Sequence, residues 1–140
     1  MEGAKKRISG SPEDLQERRT RQRREIQVVF DREERPLSPR EVHDLVKETL
    51  PRLGLATVYR SINRLVEEGQ LVALEIPGLG TCYEIPRTKP HHAHFLCTSC
   101  KRVFELEKEE DEPRSGLPEG FVLEDYEIIL KGKCAECDGE

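Results

Sequence analysis

The chain has 140 residues, 35% apolar and 36% charged, with no Trp, one Met and a formal net charge of -5. Average globular proteins run nearer ~45–50% apolar and ~25% charged, so one large core is excluded and the length fits one medium domain or two small ones. No stretch approaches the ~20 apolar residues of a membrane span, and the charged first residues lack the apolar core of a signal peptide. A soluble, cytoplasmic protein with no membrane partner is expected.

The net charge conceals an uneven distribution. Residues 1–24 carry eight basic side chains against four acidic ones, whereas residues 87–140 carry eight basic and thirteen acidic. The two ends are built for different partners.

Residues 1–10 read as a polar arm. Ser11-Pro12-Glu13-Asp14 is a helix start, with Ser11 as N-cap, Pro12 at the first helical position and an acid three residues on. The helical pattern runs to about Glu34. Its apolar positions are Leu15, Ile26, Val29 and Phe30, so only the second half has a convincing stripe. Ser38-Pro39-Arg40-Glu41 repeats the signature and opens a helix with Val42, Leu45, Val46 and Leu50 at the 3.6-residue period, stopped by Pro51. After a link over residues 52–55, a third helix is predicted over 56–68. Val58, Ile62, Leu65 and Val66 form its buried stripe, and Gly69 takes the left-handed position past its end.

Residues 71–76 and 81–85 flank the turn Pro77-Gly78-Leu79-Gly80 and read as a β-hairpin. Three helices followed by a hairpin make a winged helix-turn-helix domain over residues 1–86, its third helix placed to enter a major groove. Beyond Pro86, strands are predicted at 93–97, 102–106 and 121–130. An acidic stretch over 107–120, broken by Pro113, Gly116 and Pro118, separates the last two. The fold class is therefore α/β (α+β): the winged helix plus a small second domain over residues 87–140.

The exposed face of the third helix carries Thr57, Tyr59, Arg60, Ser61, Asn63 and Arg64, groups suited to phosphates and base edges. Taken alone, such a face is most often only solvated. Here a basic first helix precedes it, with Arg19 and Arg23 among its cations, and a wing follows. The combination points to double-stranded DNA, and the acidic half is expected to stay clear of it.

The five cysteines are too few for a disulfide-dense scaffold, and four of them form two CxxC pairs: Cys97-Thr-Ser-Cys100 and Cys134-Ala-Glu-Cys137. Two residues between thiolates let one tight turn aim both sulfurs at one ion, so the pairs supply the four soft ligands of a structural zinc, one per chain. Redox CxxC motifs belong near a βαβ pattern, which neither pair has. Zinc also compensates for the thin core, because its binding energy contributes to folding. Cys82 is left as a free thiol. Ahead of Cys97 lies His91-His92-Ala93-His94. On a strand His92 and His94 project to one face. Glu84, two residues from Cys82, and Glu105 offer carboxylates. Together they form a mixed N/O site suited to Fe²⁺, Mn²⁺, Co²⁺ or Zn²⁺. Solvated histidines are the alternative, but their place between reading head and zinc module favours a metal that sets the angle between two domains.

In order along the chain, Thr20-Arg21-Gln22-Arg23-Arg24, Leu55-Ala56-Thr57-Val58-Tyr59-Arg60, His91-His92-Ala93-His94 and the two CxxC pairs resemble the ferric uptake regulator (Fur) family of metal-dependent repressors. The resemblance runs from about residue 11 to 137. It implies a homodimer held by the C-terminal domain, a palindromic operator and a regulatory divalent metal (iron, manganese or zinc) as corepressor. It further implies Glu84, His92, His94 and Glu105 as regulatory ligands, Tyr59 and Arg60 as DNA contacts, and control of metal-homeostasis or oxidative-stress genes. The chain also departs from the family pattern. Arg35-Pro36 stands where a ligating His is frequent, leaving Cys82 or His43 as replacements, or a site with fewer ligands. Arg21 replaces a usual Pro, so the first helix is expected to run unbroken. Pro113 to Gly120 falls where a dimerisation helix would lie. Two other readings are a constitutive DNA-binding protein with only structural zinc, and a metal hydrolase, for which no HExxH-type motif exists.

Overall fold

A computed structural model describes residues 12–86, 93–106 and 116–138. Helix α1 spans Pro12–Glu33, with Pro12 at its first turn and Glu13 and Asp14 against the positive end of its dipole. Ser11, the expected cap, lies outside the described residues. The helix runs straight through Arg21, whose backbone N–H and unrestricted neighbours remove the break a Pro would impose. Only Ile26, Val29 and Phe30 are buried, so its N-terminal half continues past the core as a polar rod. It ends at Glu34, which enters the left-handed region at φ 53.

Helix α2, Pro39–Val46, has Ser38 as N-cap, whose hydroxyl accepts from the Glu41 N–H at 3.2 Å. Its helical pattern was expected to reach Leu50, but the last turn loosens into residues 47–49. Leu50 precedes Pro51, which disfavours helical geometry there, and the Thr49 hydroxyl bonds the Val46 carbonyl at 3.3 Å. Helix α3, Leu55–Glu67, starts one residue ahead of the expected position and buries Val58, Ile62 and Leu65. Past its end Gly69 has φ 77. The Gly69 N–H bonds Val66 O at 3.0 Å and the Gln70 N–H bonds Leu65 O at 2.8 Å, a Schellman motif.

Strands β1 (Val72–Ile76) and β2 (Gly80–Glu84) pair antiparallel as the wing. The second sheet holds β3 (Ala93–Cys97), β4 (Val103–Glu105) and β5 (Ile128–Gly132) in the order β4-β3-β5, with β4 antiparallel and β5 parallel to β3. The strand expected over 121–130 is displaced toward the C-terminus. The Asp125 carboxylate accepts from the Tyr126 N–H at 2.8 Å, a local bond that competes with ladder formation, and Phe121 and Val122 stay exposed. A one-turn helix α4, Ala135–Asp138, is an element the sequence pattern does not announce. Most of the acidic stretch, residues 107–115, lies outside the described residues.

Two apolar clusters follow. The larger unites α1, α2 and α3 around Phe30, Val42, Val58 and Ile62. The smaller joins the wing to the second sheet: Ile76 and Cys82 pack with Leu96 and Val103. The fold is thus α+β, a winged helix-turn-helix bundle whose wing rests on a small α/β unit that carries the four cysteines.

Candidate metal centres and nucleic-acid interface

Cys97 ends β3 and is fully buried; a tight turn brings Cys100 back beside it. Cys134 and Cys137 bracket the first turn of α4. The four Sγ atoms lie within 4.8 Å of one another, and Cys100 Sγ is 3.9 Å from Cys134 Sγ. A tetrahedral zinc with Zn–S bonds of ~2.3 Å sets its sulfurs about 3.8 Å apart. The donor set therefore fits zinc, and it is closed, with four soft ligands of one kind. The N–H groups of Cys100 and Cys134 both donate to Cys97 Sγ at 3.4 Å. These bonds hold its thiol down at about 6, the range in which a ligand thiolate forms readily. Hydrogen bonding with the Cys134 and Cys97 sulfurs pushes Cys137 up to about 12. Two braces tie the knuckles together. Thr98 N–H donates to Gly132 O at 2.7 Å, and Arg102 Nη1 donates to Glu136 Oε2 at 2.9 Å.

The second cluster lies on the seam between wing and second sheet. Glu84 closes β2, while His94 on β3 and Glu105 on β4 are direct cross-strand partners. One donor atom from each lies within 4.8 Å of the others. His94 is 0% exposed and Glu84 8%. His94 Nε2 lies 3.9 Å from Glu84 Oε1, too far for a hydrogen bond, and neither ring nitrogen has a hydrogen-bond partner among the described residues. A buried imidazole left so costs ~1–3 kcal/mol. A divalent cation between the imidazole and two carboxylates removes that cost, and this N/O donor set suits iron, manganese or zinc.

Of the four expected regulatory ligands, the structure brings Glu84, His94 and Glu105 together, whereas His92 lies outside the described residues. Neither proposed replacement joins them. His43 Nε2 bonds the Leu53 carbonyl at 2.8 Å. Cys82 sits in the apolar seam, where burial pushes its thiol up to about 11. Arg35 offers no lone pair, and its guanidinium turns to Glu41 Oε2 at 2.5 Å.

The third site is a groove of about 800 Å³ between the N-terminal half of α1 and the outer face of α3. Arg18, Arg19 and Arg23 line one side and Thr57, Arg60 and Arg64 the other. Tyr59 and Asn63 are exposed on α3 outside this lining. Arg60 donates to Thr57 Oγ1 at 3.0 Å, which fixes its guanidinium along the helix face. Arg23 is held by Glu68 at 2.5 Å, a bond that also ties α1 to the end of α3. Arg64, named with the outer face of the third helix from the sequence, follows Arg60 by one helical turn and lines the same groove, and Arg18 joins it from the basic stretch of α1.

The chain matches the model of the ferric uptake regulator family over residues 14–131. It is 30% identical over 120 residues to the ferric uptake regulation protein of Bacillus subtilis, covering 82% of this chain and 80% of that one. The corresponding protein of Campylobacter jejuni is 29% identical over 126 residues, with 86% and 80% covered. Among solved structures, the Helicobacter pylori ferric uptake regulator superposes with a TM-score of 0.61 at 29% identity, over 84% of this chain and 80% of that one. That structure is described as revealing three functional metal-binding sites.

Proposed function

The chain belongs to the ferric uptake regulator family, and from that premise we propose that it is a metal-responsive transcriptional repressor that binds DNA as a homodimer. Residues 1–86 serve as the reading head and residues 87–140 as the metal-binding dimerisation domain. The protein acts in the cytoplasm on metal-homeostasis or oxidative-stress genes. It is a regulator and not an enzyme: a catalytic metal needs a coordination position open to substrate, and the near-complete burial of His94 and Glu84 argues against one.

The observation that carries this reading is the buried Glu84/His94/Glu105 cluster placed on the seam between wing and second sheet. The structural zinc would be held by Cys97, Cys100, Cys134 and Cys137, keeping the second sheet folded. The regulatory iron, manganese or zinc would be held by Glu84, His94 and Glu105, with His92 as a fourth ligand, and supplies the positive charge that draws both carboxylates together. Glu84, His94 and Glu105 each sit on a different strand, so their convergence sets the wing against the sheet. In a dimer that angle sets the spacing of two α3 helices, and a palindromic operator presents major grooves one helical turn apart. Tyr59, Arg60, Asn63 and Thr57 face base edges and phosphates, while Arg19 and Arg23 approach the backbone.

The test is fluorescence anisotropy on a duplex selected from a random pool, with Fe²⁺, Mn²⁺ or Zn²⁺ added to zinc-loaded protein. The expected gain in affinity is about 10-fold or more, within the range of allosteric couplings, and it is lost in His94→Ala. Tight binding indifferent to metal in both chains would instead identify a constitutive DNA-binding protein.

A further inference from the structure

The segment between α1 and α2, residues 34–38, touches the neighbours of two of the three seam donors. Leu37 is fully buried and pairs with Tyr83 on β2: Leu37 N–H donates to Tyr83 O and Tyr83 N–H to Leu37 O, both at 2.8 Å. Tyr83 immediately precedes Glu84. Two residues before Leu37, the Arg35 guanidinium lies over the Phe104 ring on β4, 5.7 Å from its centroid. Phe104 immediately precedes Glu105. The same guanidinium reaches Glu41 Oε2 in the first turn of α2 at 2.5 Å and Glu33 Oε1 at the end of α1 at 3.4 Å. Its side chain is only 10% exposed. One cation thus joins two helices of the reading head to the strand that carries a metal donor.

We propose that this linker couples the metal site to the reading head, with Arg35 as its positioning residue acting through Phe104. The inference rests on the sensing role proposed above for Glu84, His94 and Glu105. Drawing Glu84 and Glu105 toward a shared cation moves β2 and β4, and with them Tyr83 and Phe104. The linker rests on both, and it runs from Glu34, the first residue past α1, to Ser38, the cap of α2. Arg35 stays charged at every accessible pH, so its contact with Phe104 does not depend on protonation. The energetic exchange is reciprocal: a docked linker pre-arranges the donors, and bound metal tightens the docking. Arg suits this better than Lys, because a planar guanidinium stacks on a ring while hydrogen-bonding carboxylates at its edge, whereas an ammonium keeps only the charge.

The experiment uses the full-length, zinc-loaded chain with Mn²⁺ as the probe. Two quantities are read: the ratio of DNA affinities with and without Mn²⁺, and the Mn²⁺ affinity in the absence of DNA. Arg35→Met and Phe104→Leu are each expected to lower both by about 2- to 30-fold, the span of a partly buried cation–π contact. The double variant should be no worse than Arg35→Met alone, since the contact that Phe104→Leu removes is already lost there. Arg35→Lys should recover part of the loss, which a merely structural role does not predict. Should Arg35→Met fail to retain zinc, Phe104→Leu carries the test alone. An unchanged Mn²⁺ response in Phe104→Leu would overturn the proposal, as would additive effects in the double variant. A wild-type chain that binds DNA without any Mn²⁺ response contradicts the sensing reading itself and removes the coupling with it.

Discussion

The two metal clusters are built from different chemistry for different work. Around Cys97 the donors are four sulfurs supplied by two tight turns, Cys97 to Cys100 and Cys134 to Cys137. Backbone N–H groups stabilise a thiolate there, and braces such as Arg102–Glu136 tie the turns to each other. Everything at that site belongs to one end of one small sheet. Around His94 the donors are one imidazole and two carboxylates, each on a separate strand, and one of those strands belongs to the wing. A site whose ligands share one local unit can stabilise that unit. A site whose ligands span a seam can also change the relation between its two sides. In the function proposed above, that difference separates a structural ion from a regulatory one.

The largest expected effect breaks the first site. Cys97→Ser should lose the bound zinc and with it the second sheet, since structural zinc contributes about 10–16 kcal/mol in small zinc-dependent folds. Metal analysis and near-UV circular dichroism check this, and a native spectrum without zinc would contradict it. His94→Leu should act in the opposite way. It fills the same buried volume without orphaned nitrogens, so the metal-free chain should unfold within about 4 °C of wild type, corresponding to ~1 kcal/mol, while the metal-induced gain in DNA affinity disappears. Smaller again is Ser38→Ala, which removes the cap of α2 below the linker and should cost about 1 kcal/mol in denaturant unfolding, leaving zinc content unchanged. The smallest effect concerns Cys82. Buried and with its thiol pushed up to about 11, it should resist alkylation at pH 8 in the folded chain, where little reactive thiolate exists. Rapid labelling of native protein at Cys82 would show that the seam is open.

Features whose cause is local were legible in the sequence. Ser38 with Glu41 marks the start of α2, Gly69 marks the end of α3, and the CxxC pairs mark the sulfur site, because a capping bond, a left-handed residue and a chelating turn each span only a few residues. Arg21 in place of a Pro likewise foretold the unbroken α1. Where the deciding contact is made elsewhere, the reading fell short. The last turn of α2 yields to Thr49 and Pro51 against its apolar period. The final strand forms over Ile128–Gly132 because it pairs with β3 there, and not where Phe121 and Val122 begin the apolar run. The seam cluster was read from two-residue spacing and from the family resemblance, but the burial of His94, and the packing of Cys82 with Ile76, Leu96 and Val103 although it shares a strand with Glu84, come from contacts across the seam. Arg35 is the clearest case. As a letter it marks a missing ligand; in the fold it reaches Phe104, 69 positions away by their numbers.

The most direct test of the distinction between the clusters is a graded chelator challenge, following metal content and DNA affinity in the same samples. Mild chelation should strip the seam metal while about one zinc per chain stays bound, and DNA affinity should fall roughly 10-fold and recover on adding Mn²⁺. If instead DNA affinity holds steady until the cysteine-bound zinc leaves, the seam cluster is not a regulatory site.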